Sequence, residues 1–215
     1  MTIDFYIIIW YNIHKCRKET KMNLYISDLH IGCANKFDGR TLETDRLLIQ
    51  NWNKTVTNSD TVYILGDIAR LGNNKDNSYA CSIISQLKAK NKILVVGNHD
   101  DKGLKDNRVS QLFTEITPYK EITDNFNGIN HNIVLSHYPI LFWNNQHKGW
   151  IHLYGHVHKS DEWQKYKDCL SNVNSYFADK ELKGYTDCPQ AKAYNVGAML
   201  WDYTPRTLKE IIENN

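Results

Sequence analysis

An α/β layered domain is the fold class the sequence predicts, and three observations predict it. Short runs rich in Ile, Val, Leu and Tyr recur along the chain, bounded mostly by polar or glycine residues. Helical patterns separate the first three of these runs, and strands alternating with helices build layered α/β domains. A length of 215 residues suits one such domain and is enough to bury a sizeable core.

The strands are "NLYIS", "DTVYIL", "KILVV", "NIVLS" and "IHLY", followed near the end by "AYNVGAMLW". Between the first two lies "TLETDRLLIQNWNKTV", a helix with Thr41 as N-cap and Leu48, Trp52 and Val56 repeating every four residues as its buried face. "NSYACSIISQLKAK" is the next helix, centred on Ile83, Ile84 and Leu87. A helical insertion is expected over residues 160–184, where Trp163, Tyr166, Leu170, Val173 and Phe177 fall at three- and four-residue steps. "TPRTLKEII" closes the chain as a short helix with Pro205 near its start.

Residues 1–21 join an apolar, aromatic run to the basic stretch "HKCRKETK", and Met22 stands directly before the first strand. The domain is therefore expected to span 22–215, with 1–21 an N-terminal extension outside it. Mass spectrometry of the natively expressed protein tests whether translation starts at Met22.

Bulk composition excludes several classes of function. The formal net charge of +2 is too small for bulk electrostatic capture of long nucleic acid or a membrane surface. "FYIIIWYNI" falls well short of the ~20 apolar residues of a membrane helix. The five cysteines are widely spaced with no C-x-x-C pair, so neither a disulfide framework nor a zinc ribbon is indicated. Reduced cysteines fit a cytoplasmic location.

The chemistry collects where strands end. The first strand runs into Asp28 and His30, the second into Asp67, the third into Asn98, His99 and Asp100, the fourth into His137, and the fifth into His156 and His158. Loops at one set of strand ends form the ligand-binding crevice of layered α/β proteins, so these side chains are expected to converge. Asp28 and His30, like His156 and His158, are two residues apart, and in extended chain such pairs point the same way.

Imidazoles, carboxylates and an amide suit borderline first-row ions: manganese first, with iron, nickel or zinc as alternatives. Seven candidate ligands are too many for one tetrahedral ion and suit two divalent metal ions that share a bridging group. Two such ions, opposed by Asp28, Asp67 and a hydroxide, leave a formal excess of about one positive charge, which attracts an anion such as a phosphoester. Metal-assisted hydrolysis of phosphorus esters follows as the expected reaction.

The blocks "DLH", "GD", "GNHD", "SH" and "GHVH", in this order from Asp28 to His158, resemble those of the calcineurin-like metallophosphoesterase superfamily. "YNVGAMLWDYTPRTLKEI" is similar to the end of its small bacterial or phage-type members. The resemblance implies a two-sheet α/β sandwich flanked by helices. It implies that Asp28, His30 and His158 hold one ion, that Asn98, His137 and His156 hold the other, and that Asp67 bridges them. Metal-bound hydroxide would be the nucleophile, His99 would assist the leaving group, and Asp100 would orient His99. The substrate would be a small phosphodiester or phosphomonoester, such as a nucleotide. The alternatives are a non-catalytic scaffold on the same fold, or a nuclease acting on short nucleic acids.

Weaker candidates remain around these blocks. Arg70 is placed to contact a phosphate, Tyr138 and Trp143 to form a stacking lip, and Cys33 to approach the metals, although core or surface roles fit each as well. His14, His131, His147 and His152 match no block and are expected to be structural or exposed.

Overall fold

The computed structural model describes residues 21–33, 40–72, 76–178 and 189–214. The expectations about the N-terminal extension bear on residues that, apart from Lys21, lie outside this set, as does the end of the expected insertion beyond residue 178.

Among the described residues two four-stranded sheets carry the chain. The first is wholly parallel and pairs in chain order: β1 (Asn23–Ile26), β2 (Thr61–Ile64), β3 (Asn91–Val95) and β4 (Glu115–Thr117). The second contains β5 (Lys120–Phe126), β6 (Ile129–Leu135), β7 (Ile151–Tyr154) and β8 (Lys192–Asn195). There β5 and β6 form an antiparallel hairpin, while β7 and β8 continue parallel to β6.

Alternation along each strand builds the layers, because successive side chains leave opposite faces of a sheet. Leu24, Ile26, Val62, Ile64 and Leu94 face α1 (Leu42–Thr55) and α2 (Ser78–Ile84) in one buried cluster. The intervening Tyr25, Tyr63, Leu65, Ile93 and Val95 face inward and meet Ile133, Leu135, Ile151 and Leu153 of the second sheet. Val134, on the outer face of the second sheet, packs with Trp143 and with Leu170 of α4 (Asp161–Ala178). The result is the expected two-sheet sandwich with helices outside.

Helix α1 follows its sequence signals. Thr41 caps it by accepting the Glu43 amide at 3.2 Å, and Leu48, Trp52 and Val56 are at most 1% exposed. Helix α2 is shorter than its apolar pattern suggests. The Trp52 indole donates to Lys88 O at 2.6 Å and the Asn53 amide to Gln86 O at 2.8 Å, so side chains of α1 satisfy carbonyls where α2 would have continued. Leu87 stays buried even so.

Strands β4 and β5 and the short helix α3 (Asn107–Ser110) carry no apolar run and are absent from the sequence-based expectation. Strand β5 alternates half-buried and exposed positions, with only Ile122 and Phe126 reaching the inter-sheet core. Asp124 on β5 accepts from Tyr25 Oη at 2.8 Å and Asn23 Nδ2 at 3.0 Å, a polar tie between the sheets. The last helix, α5 (Leu208–Glu213), starts from a Thr207–Glu210 capping box.

His152 on β7 is fully buried and structural, as expected. Its Nδ1 donates to Val134 O at 3.2 Å and its Nε2 accepts from the Ile140 amide at 3.1 Å, an arrangement only the neutral ring makes. Burial holds its pKa down at about 4. A group depressed in the folded state contributes stability above its unfolded pKa of about 6.5 and loses it as pH falls through the folded value. The metal-free protein is therefore expected to lose up to ~3 kcal/mol from this ring between pH 6.5 and 4. Urea midpoints across that range should show a smaller acid loss in His152→Leu than in the wild type.

Candidate metal centre

The loops that leave β1, β2, β3, β6 and β7 meet at one place. Asp28 N donates to Gly66 O at 3.0 Å, His30 N to Asp67 O at 2.9 Å and Gly155 N to His137 O at 2.9 Å, so the loops are tied to one another by backbone. Little space separates them. A Cβ on Gly66 would lie 2.5 Å from His137 Nδ1 and 2.7 Å from Gly97 Cα, which only glycine avoids.

Asp28, His30, Asp67, His156 and His158 all have positive φ, from 43° to 69°. This corrects the extended-chain argument for the paired ligands: each pair converges through left-handed turns. Such backbone is unfavourable by about 1 kcal/mol per non-glycine residue, and it persists where surrounding structure over-determines it.

Among the described residues three trios of candidate donors result, each with its donor atoms within 4.8 Å of one another: Asp28 with His30 and His158, His30 with Asp67 and His99, and Asp67 with His137 and His156. His30 Nε2 lies 3.1 Å from His158 Nε2, and these nitrogens stand 3.9 and 3.5 Å from Asp28 Oδ1. Asp67 divides its oxygens: Oδ1 is 3.5 Å from His137 Nε2, while Oδ2 is 3.8 Å from His30 Nε2 and 3.9 Å from His99 Nε2. Asn98 joins the second half, its Oδ1 3.0 Å from His137 Nε2.

The donor chemistry fits cations. His137 Nδ1 lies 2.8 Å from Leu65 O and must carry the proton there, because a carbonyl only accepts. In the neutral ring the Nε2 lone pair then faces the Asn98 and Asp67 oxygens, an all-acceptor convergence that a metal ion satisfies. A backbone carbonyl that fixes the ring orientation in this way is the usual outer partner of a metal-binding imidazole. His30 and His158 bring two ring nitrogens to 3.1 Å beside the Asp28 carboxylate, a set that one shared proton or one metal ion can bridge.

The charged groups respond to one another. Burial alone would raise the Asp28 carboxyl, but its interactions with His158 and His137 outweigh burial and pull it below the usual range. Burial also opposes ionisation of Asp67, yet the His137 contact brings it down to about 2. Burial, reinforced by the Arg40 charge, keeps His30 neutral down to about pH 4, and burial with the His137 charge lowers His156. In His137 burial is overcome by Asp67, which raises its pKa.

Asp100 departs from its expected role. Its Oδ2 accepts from the Asp67 and Gly97 amides at 2.8 and 2.9 Å, and its Oδ1 from the Ile68 amide at 2.9 Å. The carboxylate is fully buried under the loops and clamps the backbone that presents Asp67; it does not orient the His99 ring. Burial lifts its pKa to about 6 against the pull of the Gly97 amide. His99 is held by its own backbone amide, which donates to Asp67 Oδ1 at 2.9 Å, and its side chain is 32% exposed.

The weaker candidates separate. Trp143 is 6% exposed, with its indole donating to Trp150 O at 2.8 Å, so it belongs to the core and not to a lip. Tyr138 is half exposed and packs edge-on against His137 and His156, with ring centroids 5.0 and 4.6 Å apart. Arg70 and Cys33 line a cleft of about 750 Å³ that also exposes His30, Asp67, Asn98, His99, His156 and His158.

Sequence reasoning missed three supports. Arg40 donates to Asp28 O at 2.6 Å, Ser27 Oγ to Asp28 Oδ2 at 2.6 Å, and Asn195 Nδ2 to His158 O at 3.0 Å. Ser27 acts on its chain neighbour, whereas Arg40 and Asn195 steady these loops from 12 and 37 residues away, which no local spacing announces.

A two-sheet α/β sandwich with Asp and His donors pooled at its strand ends defines the metallophosphoesterase class. The description of the calcineurin-like phosphoesterases matches residues 24–201, and the chain belongs to that family. It is 27% identical over 194 residues to an uncharacterized protein of Methanocaldococcus jannaschii, covering 87% of this chain and 88% of the other. It is 40% identical to the Gene 66 protein of Mycobacterium phage L5 over 81 residues, which span 35% of this chain and 38% of the phage protein. A solved structure of a protein of unknown function from Aquifex aeolicus superposes with a TM-score of 0.60 at 25% identity, over 90% of this chain and 99% of that one.

Proposed function

We propose that this protein hydrolyses phosphodiester or phosphomonoester bonds with two divalent metal ions. The observation that carries this reading is the division of Asp67, whose two oxygens face separate sets of imidazoles. Asp28, His30 and His158 would hold one ion, Asn98, His137 and His156 the other, with Asp67 between them. Manganese is the first candidate and iron, nickel or zinc the alternatives, in keeping with a mixed nitrogen and oxygen donor set.

Bound divalent ions supply charge stabilisation at the phosphoryl group and activation of water. The chain's own residues do the rest. Asp28 and Asp67 remain ionised at neutral pH and His30 and His156 remain neutral, the protonation states that ligation needs, while His137, raised by Asp67, would hold an ion with loss of its Nε2 proton. His99, with its side chain partly open to the cleft, would carry a proton to the leaving oxygen. Among the described residues no helix is long and apolar enough to cross a membrane, and the proposed site of action is the cytoplasm.

The test is a panel of phosphodiesters and phosphomonoesters, assayed with protein stripped by chelator and reloaded with Mn, Ni, Zn or Mg. Turnover of at least one ester class is expected. His99→Ala should lower kcat by about 100-fold or more with metal content unchanged. Silence on every ester with every metal would overturn the proposal.

A further inference from the structure

The cleft extends beyond the ligand cluster along a wall that includes Gly32, Arg70 and Tyr79. At about 750 Å³ it exceeds the needs of a phosphoryl group and falls in the range that encloses a whole small molecule. Tyr79, in the first turn of α2, leaves 45% of its surface exposed there.

An exposed aromatic ring is commonly free to turn, but this one is held at two points. Its hydroxyl donates to Asp45 Oδ2 at 3.0 Å, and Asp45 is buried and accepts the Gly32 amide through the same oxygen, also at 3.0 Å. The ring edge lies against Gly32, where a Cβ would come within 3.1 Å of Tyr79 Cδ1. Gly32 has φ of +74°, so its conformation and its lack of a side chain together let the ring sit flush with the loop that follows His30. A ring fixed in this way loses little freedom when a second ring lies on it. Arg70 is exposed on the same cleft and, among the described residues, its guanidinium makes no hydrogen bond or ion pair, so it is available to an anionic group.

We propose that Tyr79 and Gly32 form a subsite for a planar ring, and that the chain selects phosphoesters whose non-reacting part carries such a ring, with Arg70 receiving a further negative charge when there is one. This subsite rests on the phosphoester reading above. Its chemistry suits an aryl or nucleoside phosphate and gives a small aliphatic ester nothing to stack on.

The test uses non-hydrolysable probes with the manganese-loaded full chain, titrated by calorimetry with phenylphosphonate and with methylphosphonate. The wild type should bind phenylphosphonate about tenfold more tightly, the size expected of one ring-on-ring contact. Tyr79→Leu should erase that preference and leave methylphosphonate affinity unchanged. Tyr79→Phe keeps the ring, loses only the Asp45 contact, and should retain most of the preference. Equal affinity for both probes in the wild type, or a preference that survives in Tyr79→Leu, overturns the subsite alone. Binding of neither probe overturns the subsite, and the ester panel above then decides the phosphoester reading separately.

Discussion

Replacing Asp67 with alanine is expected to lower phosphoester turnover by about three orders of magnitude or more and to leave the purified protein with fewer than two metal ions per chain. Its two oxygens serve opposite halves of the cluster, so no neighbour can substitute for both. Oδ1 faces His137 and also accepts the His99 amide, while Oδ2 faces His30 and His99. Asp67→Asn is the sharper variant, since it preserves shape and removes charge. Whichever way the amide is turned, a donor meets either an imidazole nitrogen or the His99 N–H. Elemental analysis after metal loading, beside kcat on the best ester of the panel, reads both effects. A variant retaining two ions and wild-type turnover would remove Asp67 from the bridging position.

Asp100→Ala is expected to act through the fold. Three buried amides, those of Asp67, Ile68 and Gly97, would lose their acceptor at once. An orphaned buried donor is unfavourable by about 1–3 kcal/mol, and partial relaxation brings the expected loss to roughly 3–5 kcal/mol. Urea unfolding of the metal-free protein measures it. Metal affinity should fall in parallel, because the clamped backbone is the segment that presents Asp67. If the variant kept wild-type stability and lost only the proton-transfer step, the imidazole-orienting role would be restored. Asp100→Asn should fall between, since one of its two terminal atoms still accepts.

The sequence made the buried parts of the fold legible because burial leaves a period. Leu48, Trp52 and Val56 mark α1 by their spacing, and strands covered on both faces read as unbroken apolar runs. Strand β5 escaped because Lys120, Glu121, Asp124 and Asn125 interrupt its apolar positions and its outer face is open. A signal was present: Asn127 and Gly128, both at positive φ, make the two-residue turn into β6, and an Asn-Gly pair between apolar residues is strong hairpin evidence.

The site was legible to a similar depth. The geometry gathers the donors read from strand ends because each lies two to four residues beyond the last residue of its strand. What a side chain does once there depends on loops distant in sequence. Asp100 adjoins His99 in the chain but spends its oxygens on the backbone of residues 67, 68 and 97. Trp143 follows His137 closely and yet turns into the core beneath α4.

The left-handed backbone at Asp28, His30, Asp67, His156 and His158 bears on which amino acids can occupy these places at all. Aspartate and histidine are, with asparagine, the non-glycine residues most tolerant of that conformation, whereas β-branched and bulky residues are strained in it. The loops thus act as a filter before any ion arrives, admitting short carboxylates and imidazoles. An aspartate-and-histidine vocabulary is what backbone shape and coordination chemistry here have in common.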